Sequence, residues 1–470
     1  MRKWRRFRIL HHENLTRRKL ILFLGVVIFT IYLLVQRNEG TADHQQTGGT
    51  PISGIWRSLY PFHANDSLGG ESLSLGQMQT YEQRKEARCG HNWQKSYKKL
   101  HQDILQARRP QKFIVFTCKE EGYECAGYGN RLGGVTSLLF LSILTQRALL
   151  IDWDHGAPLE RFLVPKGVQW NYSMENLKHF DSRIHYLGKK EHFKKTRSDV
   201  LKPWKTKLDF QAWLRQTDLS SYFDHPVEKI VSNWNFANAL LEKPFLEKNL
   251  NELPRKTNNS LVGCAFDFLF LKSKELETRL SAARHSLGLT KEVLKVGFHI
   301  RMGDVALHRG SNSNNLNYRA FFRCAQNLRD ALAQQTRGFQ TDIKLFLATD
   351  DKDVKQYALM NYASDVVTLD IIPHHITSLR GRKHRRSGPV EGIFNVMLDH
   401  FLLSECDFLI LSQSTFGLTA AELKFHPSQT VTFGHQIQMI TAAELKFHPA
   451  QTVTFGHKIM HSNDQIKCQS

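Results

Sequence analysis

The stretch that decides the fold is Leu294–Asp304, with the sequence LKVGFHIRMGD. Its alternating apolar residues predict a buried strand, and His299, Arg301 and Asp304 follow where that strand ends. In open α/β sheets, ligands bind just beyond the carboxyl ends of the strands. An arginine held there can pair with a phosphate through two hydrogen bonds. Taken alone, the segment is equally well explained as an Arg–Asp ion pair that caps a strand.

Two later segments repeat this pattern of an apolar strand followed by polar residues. Residues 343–351 read IKLFLATDD, and residues 407–417 read DFLILSQSTFG. If the three strands are parallel, their carboxyl ends meet at one edge of a sheet. The chain is therefore predicted to be an α/β protein with a site for an anionic ligand at that edge.

An earlier segment has the pattern of a βαβ unit. A short strand at 113–116 leads into a glycine-rich turn, a helix that ends at about Arg147, and a second strand at 148–153. The turn Gly127-Tyr128-Gly129-Asn130 lets the backbone approach a ligand at the helix start, and it also suits a tight strand–helix junction. It lacks the G-x-G-x-x-G spacing, so dinucleotide binding is not predicted.

Other segments are predicted as follows: helices at 91–108, 273–286, 391–404 and 418–425, and a strand or buried segment at 266–271.

Charge and hydropathy divide the chain unevenly. The net charge is +20 over 470 residues, and 41% of the residues are apolar, enough for two or three domains. The uncharged run Leu20–Val35 follows a basic amino terminus, which predicts a single-pass signal anchor with residues 1–19 in the cytosol. A cleaved signal peptide is the alternative, but no small-residue cleavage site follows the run. Nucleic-acid binding is not expected, because no such motif is present.

A lumenal location fits the residues that follow the anchor. Residues 38–80 are rich in Gly, Ser, Thr and Gln, which predicts a flexible stem, and sequons for glycosylation begin at Asn65, Asn171 and Asn258. No C-x-x-C pair exists among the seven cysteines, so a zinc site is not expected. In an oxidising compartment the likeliest disulfide joins Cys118 and Cys125, which flank a short loop.

The tail contains an internal repeat. The segment 419–435 (TAAELKFHPSQTVTFGH) recurs at 441–457 with a difference only at Ser428 and Ala450. Two copies are too few for a solenoid. We expect one copy to form the last helix and strand of its lobe and the other to be peripheral.

Three polar segments have an alternative chemical interpretation. Asp152-Trp153-Asp154 has the D-x-D spacing that holds a divalent cation in metal-dependent glycosyltransferases, although the end of a strand with a packed tryptophan explains it too. The basic run Arg380–Arg386 is open to three interpretations: a solvated loop, an arm that screens the donor phosphate or meets an anionic acceptor, or a site of protease trimming. The adjacent His374 and His375 have no carboxylates nearby in sequence, which argues against a metal site.

Four motifs, in order, resemble those of the fucosyltransferase clan that includes α1,2-, α1,6- and protein-O-fucosyltransferases. The segment GYGNRL at 127–132, with TQRALLIDW at 145–153, looks like the first βαβ unit of the clan. HIRMGD at 299–304 looks like its H-x-R-x-x-D signature, FLATDD at 346–351 like its A-T-D motif, and SQSTFG at 412–417 like its S-x-S-T-F motif. The resemblance covers about residues 110–435.

This resemblance implies a GT-B enzyme with two Rossmann-like lobes that face a cleft. The boundaries it suggests are 36–109 for the stem and helical neck, 110–290 for an acceptor-side lobe, and 291–470 for a donor-binding lobe. The donor would be GDP-fucose, transferred with inversion and without a metal or other cofactor to a glycan or a protein hydroxyl, in the Golgi or the ER. Arg301 would act on the diphosphate. The other implied site residues are His299, Asp304, Asp350, Ser414, Thr415 and Phe416 for the donor, and Gly129, Asn130 and Arg131 across the cleft.

One position departs from the clan pattern. Many members carry a second arginine directly after the first, and this chain has Met302 there. The departure keeps open a non-catalytic lumenal protein that binds a nucleotide or a glycan. A metal-dependent glycosyltransferase that uses another nucleotide sugar through Asp152 and Asp154 is the other alternative.

Overall fold

Two parallel β-sheets carry the fold of the computed structural model. The structure describes residues 89–90, 92–118, 125–154, 157–188, 206–242, 261–303, 318–335, 342–371, 389–423, 429–433 and 452–454. All of them belong to the larger of two contact units, Glu71–Ser470. The predicted α/β class with parallel sheets is confirmed.

The strands and helices alternate along most of the chain. The strands are β1 (Phe113–Cys118), β2 (Ala148–Trp153), β3 (Leu163–Pro165), β4 (Ser182–Leu187), β5 (Val227–Ser232), β6 (Phe270–Lys272), β7 (Leu294–Ile300), β8 (Ile343–Thr349), β9 (Val366–Val367), β10 (Phe408–Ser412), β11 (Gln429–Phe433) and β12 (Thr452–Thr454). The helices are α1 (Asn92–Leu105), α2 (Tyr128–Leu144), α3 (Lys207–Gln216), α4 (Leu219–Tyr222), α5 (Ala237–Leu241), α6 (Leu261–Leu269), α7 (Lys274–Ser286), α8 (Tyr318–Gln335), α9 (Lys352–Asn361), α10 (Pro389–Ser404) and α11 (Thr415–Glu422).

The first sheet has the strand order β2–β1–β5–β4, with every neighbouring pair parallel. Residues Phe113–Phe116 of β1 are fully buried, as expected for a central strand covered on both faces. We call the part of the chain built on this sheet the N-terminal lobe. Short β3 and β6 form a separate antiparallel pair.

The second sheet has the order β12–β11–β10–β7–β8–β9, again with parallel neighbours. We call the part built on it the C-terminal lobe. Gly297 in β7 lets the turn after α10 pack closely, because a Cβ at this position would lie 2.8 Å from Cys406 Sγ. The position of the boundary between the lobes, predicted at residue 290, stays a prediction.

One predicted element has the wrong type. The run 266–271 was predicted as a strand or buried segment, but most of it belongs to helix α6, and only Phe270–Lys272 is a strand. Helix α6 contacts both α2 and α11. Most of its residues are therefore buried, and no apolar/polar period is left to reveal a helix.

Two disulfides tie the N-terminal lobe together. The predicted bond between Cys118 and Cys125 is confirmed, and a second bond joins Cys89, just before α1, to Cys264 in α6. Within the described ranges, no helix combines the length and the apolar character that crossing a bilayer requires. The predicted anchor, the stem, the histidine pair and the basic run all lie outside the described residues.

The two copies of the tail repeat form neighbouring parallel strands. Strand β11 comes from the first copy and β12 from the second, and β11 pairs with β10. Thr430 lies opposite Thr452, so the paired residues are equivalent positions of the two copies. Helix α11 and β11 are thus the helix and strand that the first copy contributes.

Candidate functional site

The carboxyl ends of three neighbouring strands meet in the C-terminal lobe. In the sheet, β7 lies between β8 and β10, with Ile300 opposite Thr349 and His299 opposite Leu411. The residues that follow these strands, Arg301, Asp350 and Gln413, therefore lie at one edge, as the sequence predicted. This edge is the candidate site.

Asp350 holds the loop that carries Arg301. Its carboxylate pairs with the Arg301 guanidinium, and it accepts hydrogen bonds from the backbone N–H groups of Met302 (2.8 Å) and Gly303 (3.3 Å). Gly303 has a positive φ of 94°, which an L side chain rarely adopts. Burial raises the pKa of Asp350, while the charge of Arg301 and the two N–H groups act in the opposite direction. The side chain of Arg301 is 25% exposed and that of Asp350 only 8%. The Arg301 guanidinium is thus held by Asp350, and a quarter of its side chain is exposed.

Ser412 links β10 to the same loop. Its Oγ accepts a hydrogen bond from the Arg301 N–H (2.9 Å) and lies 3.3 Å from His299 Nδ1. A hydroxyl that accepts from the backbone can still donate, so it can donate to Nδ1 and keep the imidazole proton on Nε2. The sequence prediction missed Ser412, although it is the first serine of the S-x-S pair.

His299 lies in a buried stack of aromatic rings. Its ring centroid is 5.1 Å from that of Phe416, which in turn lies 4.9 Å from His400, and His400 contacts Tyr128 edge-on at 4.9 Å. Burial lowers the pKa of His299 to about 3, assisted by the charge of Arg301. Burial also lowers the pKa of His400 to about 3, assisted by His299. Both imidazoles are therefore neutral near pH 7 and add no positive charge to the site.

Helix α11 begins beside this stack. Ser414 caps the helix by accepting a hydrogen bond from the Phe416 N–H (3.2 Å), and Thr415 is its first residue. Gly417 approaches His299 so closely that a Cβ there would lie 3.1 Å from Nδ1. The predicted donor residues Ser414, Thr415 and Phe416 therefore lie next to His299, with the positive end of α11 at the site.

The start of α2 touches the start of α11. A Cβ on Gly129 would lie 2.7 Å from the carbonyl carbon and oxygen of Thr415, so only glycine allows this approach. At the other end of α11, Glu422 accepts a hydrogen bond from the Val262 N–H (3.2 Å) of α6. The two lobes therefore meet along α11, directly beside the candidate site.

Asn130 and Arg131 differ in their surroundings. Asn130 is half-buried and donates a hydrogen bond to the Asn233 carbonyl (3.2 Å). Arg131 is buried, donates to the Ala126 carbonyl (3.1 Å), and places its guanidinium 4.7 Å from the centre of the Trp153 ring. Burial lowers the pKa of Arg131 to about 9. These contacts are within the N-terminal lobe, so a role for Arg131 toward a ligand stays a prediction, and Asp304 lies outside the described residues.

The D-x-D segment ends β2, and Trp153 between the two aspartates is buried as a packing residue. Among the described residues, one group has the geometry for a cation: Asp224, His225 and Glu228. It lies at the amino end of β5, away from the candidate site. Glu228 already contacts His185 Nε2 (2.6 Å) and accepts from the His225 N–H (2.8 Å). We therefore interpret this group as a hydrogen-bond network that stabilises the fold.

Comparison with known proteins gives structural neighbours only. No family model matches the chain, and no curated protein matches it. An arginine-to-lysine mutant of Arabidopsis thaliana FUT1, in complex with GDP, is 16% identical with a TM-score of 0.45, over 80% of this chain and 83% of that one. NodZ α-1,6-fucosyltransferase of Bradyrhizobium, co-crystallised with GDP, is 16% identical with a TM-score of 0.42, and the match covers 67% of this chain and 92% of NodZ. POFUT1 in complex with GDP-fucose is 12% identical with a TM-score of 0.37, and the match covers 69% of this chain and 98% of POFUT1. All three are fucosyltransferases.

Proposed function

We propose that the chain is a fucosyltransferase that uses GDP-fucose as its donor and inverts the configuration at the transferred carbon. The observation that carries the proposal is the Arg301–Asp350 pair, held where three parallel strands end and where α11 begins. The four sequence motifs supply the identity of the nucleotide sugar. A glycan or a protein hydroxyl is the acceptor.

The chemistry follows from the charges of these residues. When the glycosidic bond to the diphosphate breaks, negative charge develops on the leaving phosphate oxygen. A guanidinium already oriented by Asp350 stabilises this charge without transferring a proton and without reorganising. Neutral His299 and the hydroxyls of Ser414 and Thr415 offer hydrogen bonds to the nucleotide rather than charge. A metal ion is not required for this step, so we propose a metal-independent reaction.

We further propose that Leu20–Val35 anchors the chain in the Golgi or ER membrane with the catalytic part in the lumen. Support comes from the basic residues that precede this run and from the disulfides of the N-terminal lobe, which suit an oxidising compartment. Glycosylation at Asn171 of the purified protein would test this topology, because only lumenal sequons are modified.

The experiment that tests the function measures GDP binding and the hydrolysis of a panel of nucleotide sugars, with and without chelator. The wild type is expected to bind GDP and to hydrolyse GDP-fucose in both conditions. Arg301→Ala should weaken GDP binding by about 1.5–3 kcal/mol, the worth of a hydrogen bond to a charged group, and Arg301→Lys should restore only part of it. Unchanged GDP affinity in Arg301→Ala would rule out the assigned role.

The same panel separates the alternatives. A metal-dependent enzyme would lose activity with chelator and in Asp154→Ala. Asp209→Ala is the control, because the Asp209 carboxylate accepts a hydrogen bond from the N–H of Thr206 at the start of α3 (3.0 Å). A non-catalytic binding protein would bind GDP-fucose without releasing GDP or fucose.

A further inference from the structure

We infer that Trp234, together with the amides of Asn130 and Asn235, forms a subsite for a neutral sugar ring of the acceptor. The subsite lies at the carboxyl edge of the first sheet. This inference rests on the proposed function and narrows its acceptor to a glycan.

The position of Trp234 follows from three contacts of the first turn of α2. Gly129 touches Thr415 in the C-terminal lobe, Asn130 donates to the Asn233 carbonyl, and a Cβ on Gly133 would lie 2.8 Å from Asn235 Cβ. Residues four apart on a helix are separated by about 6 Å along its axis. The loop Asn233–Asn235 is therefore about one helical turn from the start of α11, beside the proposed donor site.

The ring of Trp234 is supported from behind and partly open. Its centroid lies 5.3 Å from that of Phe210, which is fully buried, while Trp234 itself is only half-buried. The loop is fixed by Ser232, whose hydroxyl donates to the Leu187 carbonyl (2.8 Å). A half-buried indole that packs on a buried ring offers a flat apolar face at little cost in conformational entropy.

Asn235, which follows Trp234 in the loop, and Asn130, which contacts the residue before it, carry amide atoms that match hydroxyl groups. The Oδ1 of Asn235 is engaged by the Ser137 hydroxyl (3.3 Å) and the Ala237 N–H (3.2 Å), and no described residue pairs with its Nδ2. Within the described ranges, Asn130 Oδ1 also has no partner. A sugar ring has an apolar C–H face and a rim of hydroxyls, so it complements one aromatic ring flanked by a donor and an acceptor. A peptide would instead need a row of backbone partners.

The test uses the purified full-length chain and three variants. Trp234→Ala removes the ring and Trp234→Phe keeps an aromatic face. Trp213→Ala is the matched control, because Trp213 is also half-buried and stacks on Phe210 (5.8 Å, 22°), and a further ring contact is with Tyr222 of α4 (5.0 Å). Each variant is assayed without nucleotide for binding to immobilised lactose, N-acetyllactosamine and chitotetraose, and separately for GDP affinity and thermal unfolding.

We expect Trp234→Ala to weaken binding of the best-bound oligosaccharide by about tenfold and to change GDP affinity by less than about twofold. Trp234→Phe should retain most of the binding, and Trp213→Ala should lower the unfolding temperature without weakening glycan binding. If Trp234→Ala does not fold, Asn130→Ala serves in its place, with the same loss expected in glycan binding.

Three results would overturn the subsite: equal glycan binding in Trp234→Ala and Trp213→Ala, no binding of any of these oligosaccharides by the wild type, or transfer to a peptide hydroxyl that is unchanged in Trp234→Ala. Failure of the wild type to bind GDP overturns the proposed function alone, because the glycan assay contains no nucleotide and still decides the subsite.

Discussion

Asp350→Asn is the substitution that most directly tests how the site holds its arginine. Asp350 contacts the Arg301 guanidinium and two backbone N–H groups, and asparagine has one oxygen in place of two. The new amide N–H₂ must therefore face a donor, either the guanidinium or a backbone N–H. Arg301 loses its fixed orientation while the volume of the side chain is unchanged.

The expected magnitude follows from the exposure of the pair. A hydrogen bond to a charged group is worth about 1.5–3 kcal/mol, and solvent screening of the partly exposed Arg301 places the effect at the lower end. At about 1.4 kcal/mol per factor of ten, GDP affinity should fall by about 10- to 30-fold. The free energy of unfolding should also fall by about 1–3 kcal/mol, because one N–H donor to Asp350 loses its acceptor.

The assay is calorimetric titration of GDP into wild type, Asp350→Asn and Asp351→Asn. Asp351 is the matched control: it is the next residue, but its carboxylate caps α9 by accepting from the N–H groups of Asp353 (2.9 Å) and Val354 (3.0 Å). Asparagine caps helices as well as aspartate, so this variant should bind GDP like the wild type.

Two results would refute the reasoning. Equal GDP affinity in Asp350→Asn and Asp351→Asn would show that the carboxylate does not position Arg301. Tighter binding in Asp350→Asn would show that Asp350 competes with the diphosphate for the guanidinium.

Three further variants test the packing and the stability of the fold. Gly129→Ala should lower the free energy of unfolding by about 1–3 kcal/mol, seen as a lower unfolding temperature, and should weaken GDP binding, because its Cβ would overlap the Thr415 carbonyl. Wild-type values of both the unfolding temperature and the GDP affinity would contradict the contact. Burial raises the pKa of Asp399 to about 7 from 3.8, so the native state binds more protons than the unfolded chain between about pH 4 and 7, and this residue lowers stability as pH rises through that window. The free energy of unfolding of Asp399→Asn should therefore rise relative to that of the wild type as pH increases, by at most about 1.4 kcal/mol per pH unit. Urea unfolding at pH 5, 6 and 7 measures this difference, and a difference that does not change with pH would disprove the prediction. Replacing Cys89 and Cys264 by alanine opens a loop of 175 residues and should cost up to about 5 kcal/mol in thermal unfolding, and an unchanged melting temperature would argue against the bond.

The strand ends could be predicted because they follow central strands. Strands β1, β7, β8 and β10 are covered on both faces, so each is a short apolar run whose end is marked by the first polar residues. This is why Arg301 and Asp350 could be assigned to one edge before the structure was known. Their mutual pairing could not, because it depends on the register of β7 against β8.

The residues that the sequence did not reveal are buried polar ones. His400 lies near the carboxyl end of α10, a helix that its apolar residues predict. Nothing in that pattern shows that the His400 ring contacts Phe416 and Tyr128. Ser412 is the last residue of an apolar strand, where a serine has no special meaning until its neighbour is known. Such contacts arise between segments far apart in the chain, which local patterns do not encode.

The pairing of the repeated tail strands has a consequence for how this chain tolerates insertion. A tandem duplication usually adds residues that the fold cannot accommodate, but here the second copy places β12 beside β11, on the side away from β10, where the margin of a sheet can accept another strand. Because the duplicated strand aligns with its own original, residue for residue, the sheet grows by one strand and the new interface needs no further substitution.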